Sequence, residues 1–445
     1  MRNYLILILL IFFCNLYKFD TAFSTPLKVH IFCNMEKYHH IQPRLEISKV
    51  FFKKGNIEYM VNLNRTTIEP KENFGQVYLG SVEVPEGDVG FYIYLNKVFV
   101  KDKELVIEND HRILKTDLKF PSKAGRILLL FITWNVASSF KDDKFTPVFT
   151  FSFEEKPRAE ELLLALDKEN KGVWVVDSIF NRVVYFIELN GEPEYMSYDK
   201  EKFESYVLTS KDRLVKVINI KTLNIDRVYP IMPLEKPEYM STDKRGNGVI
   251  VSPPDRKILL LDFFRGSILN LRHTEFEPGY VCYVPQINVY FLSSSENTVY
   301  ILDENLNKIG RLDTLFTPKS IFTDGEYLYV LDKYGGVLIY SLPSLSFYGR
   351  LNVCASVLNG LSVENKVYFA CEDGYIPYLY KGQRNVADYI KGRASFYGLA
   401  YSTYKKWLYV GSNKKNVIAV IDVYNDRIKG YIELGGPVQE IVAFP

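Results

Sequence analysis

One eight-residue phrase occurs twice. Residues 193–200 read PEYMSYDK and residues 237–244 read PEYMSTDK, with seven letters unchanged at a step of 44. Self-similarity at a fixed period constrains a fold more than composition does, because each unit must bury its apolar face on its neighbours. Weaker copies open at Pro278 (PGYVCYV), Pro318 (PKSIFTD), Leu358 (LNGLSVE), Phe396 (FYGLAYS) and Pro437 (PVQEIVA), at steps of 41, 40, 40, 38 and 41. A period of about 41 residues is the length of a four-stranded propeller blade.

Each unit has the same internal grammar. Strand A follows the opening residue. Strand B is a run such as SYVLTS (205–210) or YLYVLD (327–332), strand C a run such as ILLLD (258–262) or IAVID (418–422), and strand D a run such as DRIKGYIEL (426–434). Short runs rich in Val, Ile and Tyr and split by turn residues read as strands. Asp-Gly at 324–325 and Gly-Asn at 246–247 fit A–B turns. Pro377 falls inside strand C of the unit that opens at Leu358, the sixth blade counted from residue 161, where a ladder hydrogen bond is lost, so a bulge or a register slip is expected there.

The ends of this region explain each other. Residues 161–193 align with 407–437, which supplies strands B, C and D but no A; the last nine residues, PVQEIVAFP, supply a lone A. Six complete units and one shared between the ends make seven blades, and sharing hides the first and last sheet edges. The expected fold is all-β: a seven-bladed β-propeller over residues 161–445, closed by its C-terminal strand.

Residues 26–154 lack the repeat. Runs such as LEISKVFF (45–52), IEYMVNLN (57–64), QVYLGSVEVP (76–85), GFYIYLNKVFV (90–100) and RILLLFITW (126–134) give seven short strands with turn signals. That pattern predicts an antiparallel β-sandwich. Residues 155–160 form a short charged linker.

The N-terminus reads as a targeting segment. Arg2 precedes a 13-residue apolar run at 5–17, too short for a bilayer, which needs about 20 residues. Ala22-Phe23-Ser24 is a small-x-small motif, so cleavage before Thr25 and an extracytoplasmic location are expected. Lipidation at Cys14, disfavoured by the bulky Phe13 before it, and retention as an uncleaved anchor are the alternatives; either would be the chain's only tie to a membrane.

The unit P-x-x-[IM]…[LV]-Y-V…V-x-V-[IL]-D resembles the YVTN repeat, and more loosely the NHL repeat, over residues 161–445. That resemblance implies an extracytoplasmic propeller acting as a binding or scaffold protein. The stretch from VNLN through LGSVEVPEGDVGFYIYLNKVFV to LLLFITW resembles an uncharacterised sandwich family of bacterial envelope lipoproteins. It implies a location and no chemistry.

Several functions are disfavoured directly. Net charge is +2, from 55 basic and 53 acidic residues, which leaves no footprint for nucleic acid. Of five histidines only His273 lies in the repeats, too few for a multi-histidine metal or haem site there, and no C-x-x-C-H attaches haem c. Nucleophile-elbow, zinc-protease and phosphate-loop motifs are missing. No cofactor and no resident metal are expected.

The candidate site follows from topology. Strands A and B are antiparallel, so D–A loops and B–C turns share one face. Tyr195, Tyr239 and Tyr280 stand two residues after the opening Pro in three consecutive units, with Glu194 and Glu238 beside the first two. Aromatic bodies with hydroxyl tips suit a small ligand or a protein partner at the channel mouth. Their ordinary role is to wedge adjacent blades. A funnel-site hydrolase or lyase would instead need carboxylates converging on a cation; the candidates are Glu194, Glu238, Asp212, Asp255, Glu296, Asp332 and Asp373, whose spacing singles out no ligand set. An accessory role in a periplasmic redox complex is the third reading. The same face brings Cys354, ending strand D of the fifth blade, towards Cys371, ending strand B of the sixth; a disulfide or two buried thiols would result. Cys282 reads as a small core residue.

Overall fold

In the computed structural model the described residues are 26–444, except 37, 39, 71–72, 121–125, 142–143, 155, 158–160 and 333. Cys14, the cleavage motif, His39 and most of the linker lie outside them. Among the described residues no helix is long and apolar enough to cross a membrane.

Two sheets occupy the N-terminal part. One is five-stranded and contains Leu27–Glu36, Gln76–Val84 and Ile127–Asn135; the other is six-stranded and is built on Pro43–Lys54 and Asp88–Val100. Val29, Ile31 and Cys33 from the first meet Leu45, Ile47 and Val50 from the second in one core. The expectation of a purely antiparallel sandwich is corrected, because Leu27–Glu36 runs parallel to Ile127–Asn135, with Ile31 opposite Leu130. Parallel neighbours need a long crossover, and the intervening chain, which builds the second sheet, provides it. The single run expected at 57–64 also divides, Ile57–Met60 pairing in one sheet and Asn62–Leu63 in the other.

Residues 162–444 form seven four-stranded antiparallel sheets, a propeller-like array. Six take their strands in sequence order from continuous chain. The remaining one joins Leu162–Asp167, Gly172–Asp177 and Arg182–Glu188 to Ile441–Phe444. In it Leu162 stands opposite Phe444 and Ala165 opposite Ile441. Ile441, Val442 and Phe444 are only 3–4% exposed, and burial of each such side chain contributes about 1.5–3 kcal/mol.

Consecutive sheets pack through their strand faces. Val249 and Val251 of one meet Tyr290 and Leu292 of the next. Tyr206 stacks on Phe263 at 4.2 Å between ring centroids, at an angle of 10°. At the irregular unit that opens at Leu358, pairing between Lys366–Cys371 and Tyr375–Tyr380 stops at Tyr368 opposite Tyr378. Pro377 comes next and has no N–H to donate. Cys282 is half-buried and packs against the core cluster that contains Val284 and Phe291.

The N-terminal sheets dock on the sheet that contains Ile441–Phe444. Phe32, Tyr78, Leu129 and Phe131 share a buried cluster with Leu163, Trp174 and Ile441. The His30 ring meets Trp174 edge-on at 5.2 Å, and its Nδ1 lies 2.9 Å from the Tyr78 hydroxyl. Trp174 donates Nε1–H to Asp167 at 2.7 Å. Gln76 makes two bonds to the Val183 backbone, of 3.0 and 2.7 Å. Burial first, then nearby Lys28, hold the His30 imidazole down at about 3, so it is neutral at ordinary pH.

Candidate functional site

The first strands of three repeat sheets open with a local irregularity. Pairing slips between Pro193 and Tyr195, and again between Pro278 and Val281. A proline at the start of a strand withholds one donor and permits such a slip. The next side chains inward are the predicted tyrosines. Tyr195 stands opposite Leu208 and Tyr239 opposite Val251. By the same register Ser320, opposite Leu331, and Asn359, opposite Ala370, take that position in later sheets.

In the sheet completed by the chain end the position belongs to Glu440. Its carbonyl accepts the Leu166 N–H at 2.8 Å, one residue before Ile441 pairs with Ala165. Alignment on Pro437 points to Gln439 instead. One extra residue separates this Pro from its strand, and the sequence phrase, which lacks a tyrosine here, gives no warning. Tyr397 was missed for a related reason. The register position in its sheet is Gly398, where an added Cβ would lie 2.4 Å from the Gln439 carbonyl oxygen. The aromatic ring comes from the preceding residue.

The structure brings Tyr195, Tyr239 and Tyr280 into one cluster. Their ring centroids are 6.4, 6.0 and 5.7 Å apart, and the Tyr195 and Tyr280 hydroxyls are 2.8 Å apart. Ser320 continues the polar line towards Asn359, at 3.4 Å. All three tyrosines and Tyr397 are half-buried. Burial pushes the Tyr239 phenol up to about 12 and raises those of Tyr195, Tyr280 and Tyr397 well above the ordinary value, and the nearby Glu440 carboxyl adds to the rise at all four. These hydroxyls are therefore neutral hydrogen-bonding groups.

Glu440 is 9% exposed. Burial pushes its carboxyl up to about 8, against a smaller opposing pull from Lys168. No side-chain hydrogen bond or ion pair reaches that carboxyl among the described residues. Lys168 is engaged elsewhere, 2.6 Å from Glu194. A buried carboxyl without a side-chain partner is costly.

Glu238 and Glu194 also raise the Tyr239 phenol, ahead of Glu440, but each has a local partner. Glu194 also accepts the Ser210 hydroxyl at 2.8 Å, and Glu238 pairs with Lys236 at 3.1 Å. The remaining carboxylate candidates are held within their own sheets. Asp212 pairs with Lys216 at 2.6 Å and Asp255 with Lys257 at 3.5 Å. Glu296 accepts the Tyr300 hydroxyl at 3.4 Å. Asp332 accepts the Tyr334 and Gly336 N–H groups at 2.6 and 2.8 Å, and Asp373 that of Tyr375 at 3.2 Å. Each is engaged by a different turn or ion pair, although Asp212 and Asp255 each keep one buried oxygen without a hydrogen bond. Among the described residues the one close group of three metal-ligating types is Cys354, Cys371 and Asp373. Its two sulfurs are joined as a disulfide, with an S–S distance of 2.06 Å across 17 residues.

No family model matches the sequence, and no curated protein matches it, so the YVTN and NHL likeness rests on the repeat pattern. Among solved structures the chain is similar to a functionally unknown protein from Desulfotomaculum acetoxidans DSM 771, at a TM-score of 0.54 and 11% identity, covering 64% of this chain and 98% of that one. It is also similar to the β-propeller domain of Myceliophteria thermophila Cps50 (Swd1), at 0.49 and 11%, covering 57% and 90%. For hydrazine synthase of Kuenenia stuttgartiensis the values are 0.49 and 12%, covering 56% and 89%. The first likeness is one of fold alone.

Proposed function

We propose that this chain is an exported, non-enzymatic binding or scaffold protein. Its repeat region is a seven-bladed propeller closed between its two ends, and its ligand or partner is received where the inner tyrosines meet. The observation that carries this reading is the meeting of Tyr195, Tyr239 and Tyr280 from three sheets, with Glu440 at the matching register position of a fourth.

Three features support the closed geometry and the location. Inner strands of consecutive sheets lie side by side along the whole array, and Ile441–Phe444 touches the inner strands on both sides of it, Leu399–Ser402 and Pro193–Asp199. The bonded Cys354–Cys371 pair fits an oxidising compartment. The apolar run at 5–17 fits export. In this reading the array is a rigid frame and the N-terminal sheets are a platform docked on it through Trp174.

A thermal-shift screen of metabolite classes on the purified protein tests the reading. A ligand present at one hundred times its dissociation constant adds about 2.7 kcal/mol of stability. That gain is expected to vanish in Tyr239→Leu and to persist in Asp212→Asn, which alters a carboxylate outside the cluster. Stabilisation by Ca²⁺ accompanied by lactone hydrolysis, lost when Glu194, Glu238 and Asp255 are replaced, would overturn it in favour of a hydrolase.

A further inference from the structure

The tyrosine cluster and Glu440 have a more specific chemistry than a general binding surface, and the following rests on the reading that the cluster is the binding site. We infer that the site takes the head group of an organic monocation, an alkylammonium, with the Glu440 carboxylate as its counter-charge and the rings of Tyr195, Tyr239, Tyr280 and Tyr397 as its walls.

The argument begins with charge. Glu440 is 9% exposed and no described side chain bonds or pairs with its carboxyl. Lys168 is committed to Glu194 at 2.6 Å, and Lys236 to Glu238 at 3.1 Å. The layer therefore holds one acidic group that the protein does not neutralise. An anion would find no unpaired cation there, since Lys168 and Lys236 are already engaged. A neutral ligand could hydrogen-bond the carboxyl but would supply no counter-charge to its ionised form. A divalent ion such as Ca²⁺ takes six to eight oxygen ligands and several charges, and this layer offers one carboxylate and neutral phenols.

The aromatic lining makes the same selection. A cation near a tyrosine ring is attracted to the ring face, and cages of such rings with one carboxylate suit ammonium groups with alkyl substituents. Three rings lie within 6.4 Å of one another. Tyr239 and Tyr397 make no side-chain hydrogen bond among the described residues, so their hydroxyls are available to an N–H donor.

Binding has a proton signature. The groups facing Glu440 are Lys168, already on Glu194, and the phenols of Tyr195, Tyr239, Tyr280 and Tyr397. With the carboxyl raised to about 8, the empty site is protonated at pH 7. A bound cation must displace that proton, which passes to buffer. Affinity should therefore rise roughly tenfold per pH unit below about 8 and level off above it.

Isothermal titration calorimetry of the full secreted chain provides the test, with n-butylammonium and choline as probes and n-butanol and butyrate as controls. Both cations are expected to bind and release close to one proton at pH 7, read from the dependence of heat on buffer ionisation. The controls should not bind. Glu440→Gln should weaken the cations at least tenfold and remove the proton release, and Tyr239→Leu should weaken them several-fold. A peptide with a single central lysine separates two sources of the same head group: tighter binding than n-butylammonium indicates a protein partner, weaker binding a free amine. Equal cation affinity in wild type and Glu440→Gln would overturn the assignment. So would a wild type that ignores both cations. In that case, a non-cationic ligand whose thermal shift depends on Tyr239 leaves the binding-site reading standing; no Tyr239-dependent ligand at all removes both.

Discussion

Six of the repeat sheets are local, and one is not. The sheet of residues 193–230 is assembled from neighbours in sequence, as are its five counterparts; the sheet that includes Ile441–Phe444 joins strands from opposite ends of the array. A local sheet forms by successive short turns, whereas the composite one requires closure over the entire repeat region. Closure entropy grows slowly with length, by about 0.6 kcal/mol per doubling, so the composite sheet is disfavoured only modestly in equilibrium terms. It nonetheless carries more than its siblings. It buries the N-terminal sheets against Trp174, and it alone places an acidic residue in the tyrosine layer.

The strongest way to break this comparison is to delete residues 437–445. That removes Ile441, Val442 and Phe444 from burial and exposes the Leu162–Asp167 edge. Loss of several side chains worth about 1.5–3 kcal/mol each should produce aggregation or a non-cooperative melt in calorimetry. An unchanged melting curve would show that the composite sheet does not hold the array together.

Trp174→Ala sharpens the contrast. Trp174 is fully buried between the composite sheet and the N-terminal sheets, and truncating a buried Trp costs about 3–5 kcal/mol. Leu259, fully buried in a local sheet, should cost about 2–5 kcal/mol when changed to Ala. The distinguishing result is local: hydrogen exchange in Leu27–Glu36, which packs on Trp174, should rise in Trp174→Ala and not in Leu259→Ala.

The gentlest probe is pH. His30 is held at about 3 in the folded protein, below the ordinary imidazole value of 6.5. The unfolded chain binds a proton that the folded one refuses, so the stability this neutral ring contributes is complete above 6.5 and is lost as pH falls towards 3. Denaturant titrations should show stability falling with acid across that window, and His30→Phe should flatten the slope.

Sequence periodicity made much of this legible. A strand-forming run after each Pro, at steps near 41, located the sheets, and the spacing of Tyr195, Tyr239 and Tyr280 placed them on equivalent strands. Alternation failed for Leu27–Glu36, which is buried on both faces, with Ile31 towards the sandwich core and Phe32 towards Trp174. Such a strand has no polar side to reveal it. Parallel pairing with Ile127–Asn135 depends on tertiary crossover and leaves no local mark. Glu440 escaped because a one-residue slip exchanges the side chain facing inward for its neighbour, and the residue that arrives is not a tyrosine.

The docking surface has a consequence for the order in which the molecule is made. The Tyr78 N–H donates to the Glu433 carboxylate across 355 residues, and Phe32 shares its cluster with Ile441. A chain synthesised or threaded from its first residue exposes the outer side of Leu27–Glu36 early. The partner surface for that side is finished only when the final strand has emerged. Until Ile441–Phe444 is made, Leu27–Glu36 keeps an uncovered aromatic flank.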